Sequence, residues 1–186
     1  MSSRGSVVGD ERLRLFLAYT LPGAVVERLA AWQERELAGA GGRLVPPGNL
    51  HVTLAFLGSR PAAELTAILS VLEEAAGAAA QPLFEPVRWR EARAAGMLVL
   101  ADRAAPAAAA LAGRVQGALA NLGVFRPERR DWLPHVTVLR HRRPPGLRPP
   151  LPDLEPFVPS GAAAFLSRLH PSGASYEVLE SLSLGG

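Results

Sequence analysis

Leu50-His51-Val52-Thr53-Leu54-Ala55-Phe56-Leu57-Gly58 has an echo later in the chain, Pro134-His135-Val136-Thr137-Val138-Leu139-Arg140. Each copy carries His, a β-branched apolar residue, Thr and an aliphatic residue in the same order. Side chains of an extended strand alternate between faces, so His51 and Thr53 point one way while Val52 and Leu54 point the other; His135 and Thr137 follow the same rule. Two strands of this kind, side by side or face to face, would bring two imidazoles and two hydroxyls to one pocket while their aliphatic residues anchor them to a core.

Outward from these motifs, the chain reads as a succession of strands and amphipathic helices. Residues 12–19 read as a strand that is apolar on both faces after its charged start, the pattern of a central position. Val25, Val26, Leu29, Trp32 and Leu37 recur at helical spacing within residues 24–38. Residues 46–49 turn into the first motif strand, and residues 58–61 read as the turn that ends it, with Pro61 in the first turn of a helix over 62–76. Residues 83–91 and 96–101 read as a hairpin, and residues 106–122 as an Ala-rich helix. The charged stretch 126–131 delivers the second motif, residues 140–152 read as an exposed Arg- and Pro-rich loop, and strands are expected at 155–160, 162–169 and 175–182. One motif strand falls in each half, so the pattern predicts two small α/β units related by a weak internal duplication. Residues 1–11, small and polar, read as a flexible leader to a single two-lobed domain over 12–186.

Composition bounds the function. At 186 residues, 48% hydrophobic, the chain can bury a substantial core. It has no cysteine, which removes thiol nucleophiles, disulfides and thiolate metal sites together. All 20 basic residues are Arg, against 17 acidic residues, a skew that points to codon bias more than to selection for phosphate binding. No signal-like or membrane-spanning apolar run occurs, so a cytoplasmic monomer without membrane attachment is the expectation.

Imidazole titrates nearest neutrality, so a pair can hold one proton between them, one acting as base and the other as acid. Opening a cyclic phosphate needs such a pair, a base for the attacking water and an acid for the departing ribose oxygen. Hydroxyls such as those of Thr53 and Thr137 can hold the non-bridging oxygens. No cofactor or metal is called for, and the absence of HExxH, of Cys and of nearby carboxylates weighs against zinc. A lone His-x-Thr would more often be an ordinary hydrogen-bonded histidine; its duplication in a chain of four histidines favours function. His141 and His170 lack the pattern and read as surface residues.

On these residues the sequence resembles the two-histidine phosphoesterase superfamily, and within it the RNA 2′,3′-cyclic phosphodiesterases also called 2′-5′ RNA ligases. The resemblance runs from residues 14–18 through 49–58 and 132–140 to 167–169 and 173–176. It implies an α+β fold of two pseudo-symmetric lobes, each an antiparallel sheet with helices outside, enclosing a central cleft. It implies His51 as the acid for the leaving 3′ oxygen, His135 as the base for water, and Thr53, Thr137 and Arg140 as phosphate contacts. Phe16 and Phe56 are candidates for the base-binding end of the cleft, with a core role the alternative for both. The implied partner is RNA ending in a 2′,3′-cyclic phosphate. Small cyclic nucleotides or ADP-ribose cyclic phosphate are alternative substrates. A different alternative is a non-catalytic RNA-binding role for Arg126, Arg129, Arg130, Arg140, Arg142, Arg143 and Arg148.

Overall fold

The computed structural model of the protein describes residues 11–185, so the leader expected over residues 1–11 lies, apart from Glu11, outside the described residues. The elements follow in the order β1 (Arg12–Thr20), α1 (Gly23–Leu37), β2 (Arg43–Leu44), β3 (His51–Pro61), α2 (Leu65–Gly77), β4 (Phe84–Ala92), β5 (Ala95–Asp102), α3 (Ala107–Asn121), β6 (His135–Arg140), β7 (Gly161–His170) and β8 (Gly173–Leu182). All strands are antiparallel in a sheet of order β4-β5-β6-β3-β1-β7-β8, with β2 also on β6. Within this sheet β3 and β6, the two motif strands, pair only at Val52 and Val136. The result is the α+β architecture expected from the sequence, with the two antiparallel halves running into one another as a single curled sheet.

β1 sits between β3 and β7 and is buried on both faces, as its uniformly apolar sequence requires. Leu15, Leu17 and Tyr19 enter the large core under the helices, whereas Phe16 and Ala18 join Ala163 and Phe165 in a smaller cluster on the opposite face. The helices supply the large core through Leu29 and Trp32 of α1, Ile68 and Leu72 of α2, and Leu111, Val115 and Leu119 of α3. Each such fully buried side chain contributes about 1.5–3 kcal/mol of transfer free energy. Helix α1 is also fixed by polar bonds. Its buried Gln33 donates from Nε2 to the carbonyls of Val45 (3.0 Å) and Val138 (2.6 Å), and Trp32 Nε1 donates to Pro150 O at 2.9 Å. Gln33 therefore clamps the segment leading to β3 against β6, which sets how closely the motif strands approach.

The structure corrects several local expectations. Residues 58–61 do not leave the sheet: β3 continues to Pro61, and a bulge opposite Leu15 and Phe16 absorbs the irregularity, with Gly58 at φ 67°. Residues 155–160 form no strand and join the sheet through a bridge between Phe157 and Phe84 and a single bond from Ser160 N to Thr20 O. The short β2 has no signature in the sequence, since two residues carry no periodicity. His141 is buried rather than on the surface, with 7% of its area exposed and neither ring nitrogen bonded, while His170 is exposed as expected. No described helix is long and apolar enough to cross a membrane.

Candidate active site

The antiparallel pairing of Val52 with Val136 places His51 across from Thr137 and Thr53 across from His135. Burial alternates identically along both strands: the valines are buried, while the histidines and threonines are half-buried on the other face. Opposed residues of neighbouring strands lie about 5 Å apart and residues two along a strand about 7 Å apart. The four polar side chains thus frame a patch of roughly phosphate size, with the histidines at opposite corners.

Each imidazole is held the same way. His51 Nδ1 donates to Asn49 O at 2.7 Å and His135 Nδ1 donates to Leu133 O at 2.8 Å, in both cases the carbonyl two residues upstream. A carbonyl can only accept, so each Nδ1 carries a proton and each Nε2 is left for the site. His51 Nε2 lies 3.0 Å from Thr53 Oγ1, which donates to it when the ring is neutral. Trp132 Nε1 donates to Thr53 O at 2.9 Å, joining the segment before β6 to the first motif strand.

The surroundings of the two rings differ. His51 is walled by Phe16, Tyr176 and Phe165, with ring centroids at 4.8, 5.5 and 6.1 Å. Burial among these rings lowers its pKa from 6.5 to about 4; the bond to Asn49 opposes the shift, and the positive charges of Arg140 and His135 add to it. His135 opens instead onto a cleft of about 400 Å³ lined also by Thr53, Phe56, Arg90, Arg126 and Arg130. On the far side, beyond the edge formed by His51 and Thr137, lies a hollow of about 90 Å³ lined by Arg43, Asn49, Arg140 and Tyr176.

The structure therefore brings together His51, His135, Thr53 and Thr137, with Arg140 in the hollow beside His51. It separates the two phenylalanines. Phe56 is 49% exposed on the cleft with the Arg14 guanidinium 4.8 Å from its ring centre, whereas Phe16 is 3% exposed and packs on Phe165 and His51. Phe16 accordingly belongs to the wall of His51 and offers almost no surface to a base. Of the remaining arginines noted in the sequence, Arg126 and Arg130 line the larger cleft; Arg129, Arg142, Arg143 and Arg148 are exposed and line neither hollow. Arg43 and Phe165 join the site from outside the stretches that carry the resemblance and are revealed only by their tertiary placement, whereas Asn49 and Tyr176 lie within those stretches but gain a role only here. Among the described residues no group of three or more His, Asp or Glu side chains is arranged to hold a metal ion.

Residues 20–84 match the family described as LigT like phosphoesterase. An RNA 2′,3′-cyclic phosphodiesterase of Thermus thermophilus is 33% identical over 193 aligned positions, covering 94% of this chain and 91% of that one. The crystal structure of a protein from the same organism superposes with a TM-score of 0.79 at 28% identity, covering 94% of this chain and 99% of that one. Escherichia coli LigT, crystallised with 3′-AMP, superposes with a TM-score of 0.73 at 26% identity, covering 95% of this chain and all of the other. A relative one-third identical along nearly the whole length means that this chain belongs to the LigT-like family of two-histidine phosphoesterases, and the superposed structures share its fold.

Proposed function

We propose that this protein opens the 2′,3′-cyclic phosphate at RNA ends to a 2′-phosphate, with His51 as acid and His135 as base. The observation that carries the reading is the single antiparallel pairing at Val52 and Val136, which sets both histidines and both threonines on one face around a phosphate-sized patch. The name of the T. thermophilus relative supports the same reaction.

Neutral His135 takes a proton from water at Nε2 as the water oxygen bonds to phosphorus. The P–O3′ bond breaks on the opposite side, and O3′ receives the proton of His51 Nε2. Water and the cyclic diester become a 2′-phosphomonoester and a free 3′-hydroxyl. His135 ends protonated and His51 neutral, and solvent exchange restores both. Thr53 and Thr137 donate to the non-bridging oxygens, and Arg140 offsets the anionic charge. Burial keeps His51 neutral in the free protein near pH 7, so on this reading it takes up its proton with the substrate, whose negative charge favours the imidazolium. An RNA 5′-hydroxyl in place of water would form a 2′-5′ linkage through the same groups.

The lowered pKa of His51 favours a second reading, in which His51 is the base and His135 the acid. The test begins with chromatographic identification of the product from a 2′,3′-cyclic nucleotide in the presence of chelator, using the wild-type protein, His51→Ala and His135→Ala. The expected product is the 2′-phosphate, formed about 10²–10⁴-fold more slowly by each variant; a 3′-phosphate, or turnover near the wild-type rate in either variant, defeats the proposal. The roles are then separated with a 2′-(4-nitrophenyl) phosphodiester of the 3′-deoxynucleoside, whose leaving group needs no protonation. The variant lacking the acid recovers activity on it, and the variant lacking the base does not.

A further inference from the structure

The 90 Å³ hollow beside His51 holds a feature that a single cyclic phosphate does not account for. Arg43 of β2 and Arg140 of β6 are directly opposed in the sheet. Like charges at opposed strand positions repel, yet among the described residues neither guanidinium has a carboxylate within salt-bridge distance and no acidic side chain lines the hollow. Arg43 is not loosely placed. It donates from Nη1 to Ser172 O at the turn between β7 and β8, and the same turn is tied down by Asn49 Nδ2, which donates to Ala174 O at 2.8 Å. Two cations facing one phosphate-sized space, one of them held by a backbone carbonyl, with no acidic side chain among the residues that line it, form a site for an anion.

The position of the hollow says which anion. β3 and β2 successively occupy the same flank of β6, with Val52 opposite Val136, and then Leu44 and Arg43 opposite Leu139 and Arg140. Arg43 therefore lies beyond His51, several residues along β6 from the patch framed by the histidines and threonines. With His51 at the leaving O3′ and water on the His135 side, the ribose lies toward His51 and its 5′ carbon toward the hollow. We propose that Arg43 binds the 5′-phosphate of the nucleotide carrying the cyclic end, with Arg140 standing between the two phosphates, so that the site selects substrates bearing a second phosphate, as the last nucleotide of an RNA does. This rests on the cyclic phosphodiesterase reading of the site.

The test compares binding of adenosine 2′-phosphate and adenosine 2′,5′-bisphosphate by titration calorimetry, which needs no turnover. In the wild-type protein the 5′-phosphate should tighten binding about tenfold, the low end for charge-assisted hydrogen bonds at an exposed site. In Arg43→Met the ratio of the two affinities should fall close to one, and Arg43→Lys should recover part of it. Taking the ratio cancels any general damage to the fold. Equal wild-type affinities, a gain that survives in Arg43→Met, or a gain lost in Arg90→Met or Arg126→Met instead would overturn the proposal. Absence of binding by both nucleotides would remove the cyclic phosphodiesterase reading along with it, whereas equal binding by both would remove only the role of Arg43.

Discussion

Acidification offers a direct measurement of how the fold treats His51. The ring sits among Phe16, Phe165 and Tyr176, and its pKa is lowered from 6.5 to about 4, first by burial. Between those two values the unfolded chain binds a proton at this position that the native protein does not, so native stability falls as pH drops through the window. Above about pH 6.5 both states are neutral at His51 and the contribution vanishes. Integrated over the window the loss is about 3 kcal/mol, and about 2 kcal/mol is reached by pH 5; both are ceilings, because the ring keeps partial contact with water. Urea unfolding of the wild-type protein and His51→Gln, at half-unit steps from about pH 7.5 to about pH 4.5, isolates the effect, since the other three histidines are common to both. The wild-type protein should lose stability more steeply than the variant below about pH 6.5, and saturating inorganic phosphate should shrink the difference by favouring the charged ring. Parallel curves would refute the claim that the aromatic wall holds this imidazole neutral, and with it the proposal that His51 gains its proton together with substrate.

Other expectations follow from the same geometry. His51→Ala and His135→Ala should each lower kcat on a 2′,3′-cyclic nucleotide by about 10²–10⁴-fold in steady-state assays, with the double variant little worse than either single one. Thr137→Val, which removes a donor to the phosphate without disturbing either histidine's anchor, should lower kcat by up to about 10²-fold while leaving thermal stability close to wild type. Gln33→Leu should cost about 1–3 kcal/mol in chemical denaturation, since it strips a shared donor from the carbonyls of Val45 and Val138. Phe165→Ala should raise the pKa of His51, read from the ring-proton shifts by NMR, because it admits water to one wall of the ring.

The parts of the molecule visible in its sequence are those governed by local periodicity. The alternation in residues 51–54 and 135–138 correctly divides polar from apolar faces, and the apolar run in residues 15–19 correctly marks a strand covered on both sides. Helices carrying Leu29, Ile68 and Leu111 appear within a few residues of their expected ends. What remains hidden depends on contacts between distant segments. Gly58 and Pro61 carry turn chemistry, yet pairing with residues 12–15 keeps them in the sheet. Phe157 looks like part of a strand but finds only one bridging partner. Arg43 gains its meaning solely from Arg140 and Ser172, which are remote from it along the chain, and Phe16 is assigned to the core only by the stacking of Phe165 on its ring.

The two motifs alone do not distinguish acid from base, since the four motif residues are interchangeable under the local two-fold symmetry of an antiparallel pair. The fold breaks that symmetry through what it packs behind each copy. His51 backs onto a closed aromatic wall and a small hollow holding two arginines, whereas His135 faces an open cleft with charges of both signs from Arg126, Glu128, Arg130 and Asp131. A group that must deliver a proton to an oxygen of a bound substrate gains where fewer waters compete for that proton, and the aromatic wall limits water at His51. A group that must receive a proton from water gains from a side that solvent can reach, and the open cleft has it. With His51 as the proposed acid, the same division would set the nucleotide's sugar on the walled side, toward Arg43. On the proposed roles, asymmetric packing around a symmetric strand pair connects the direction of the reaction to the choice of substrate.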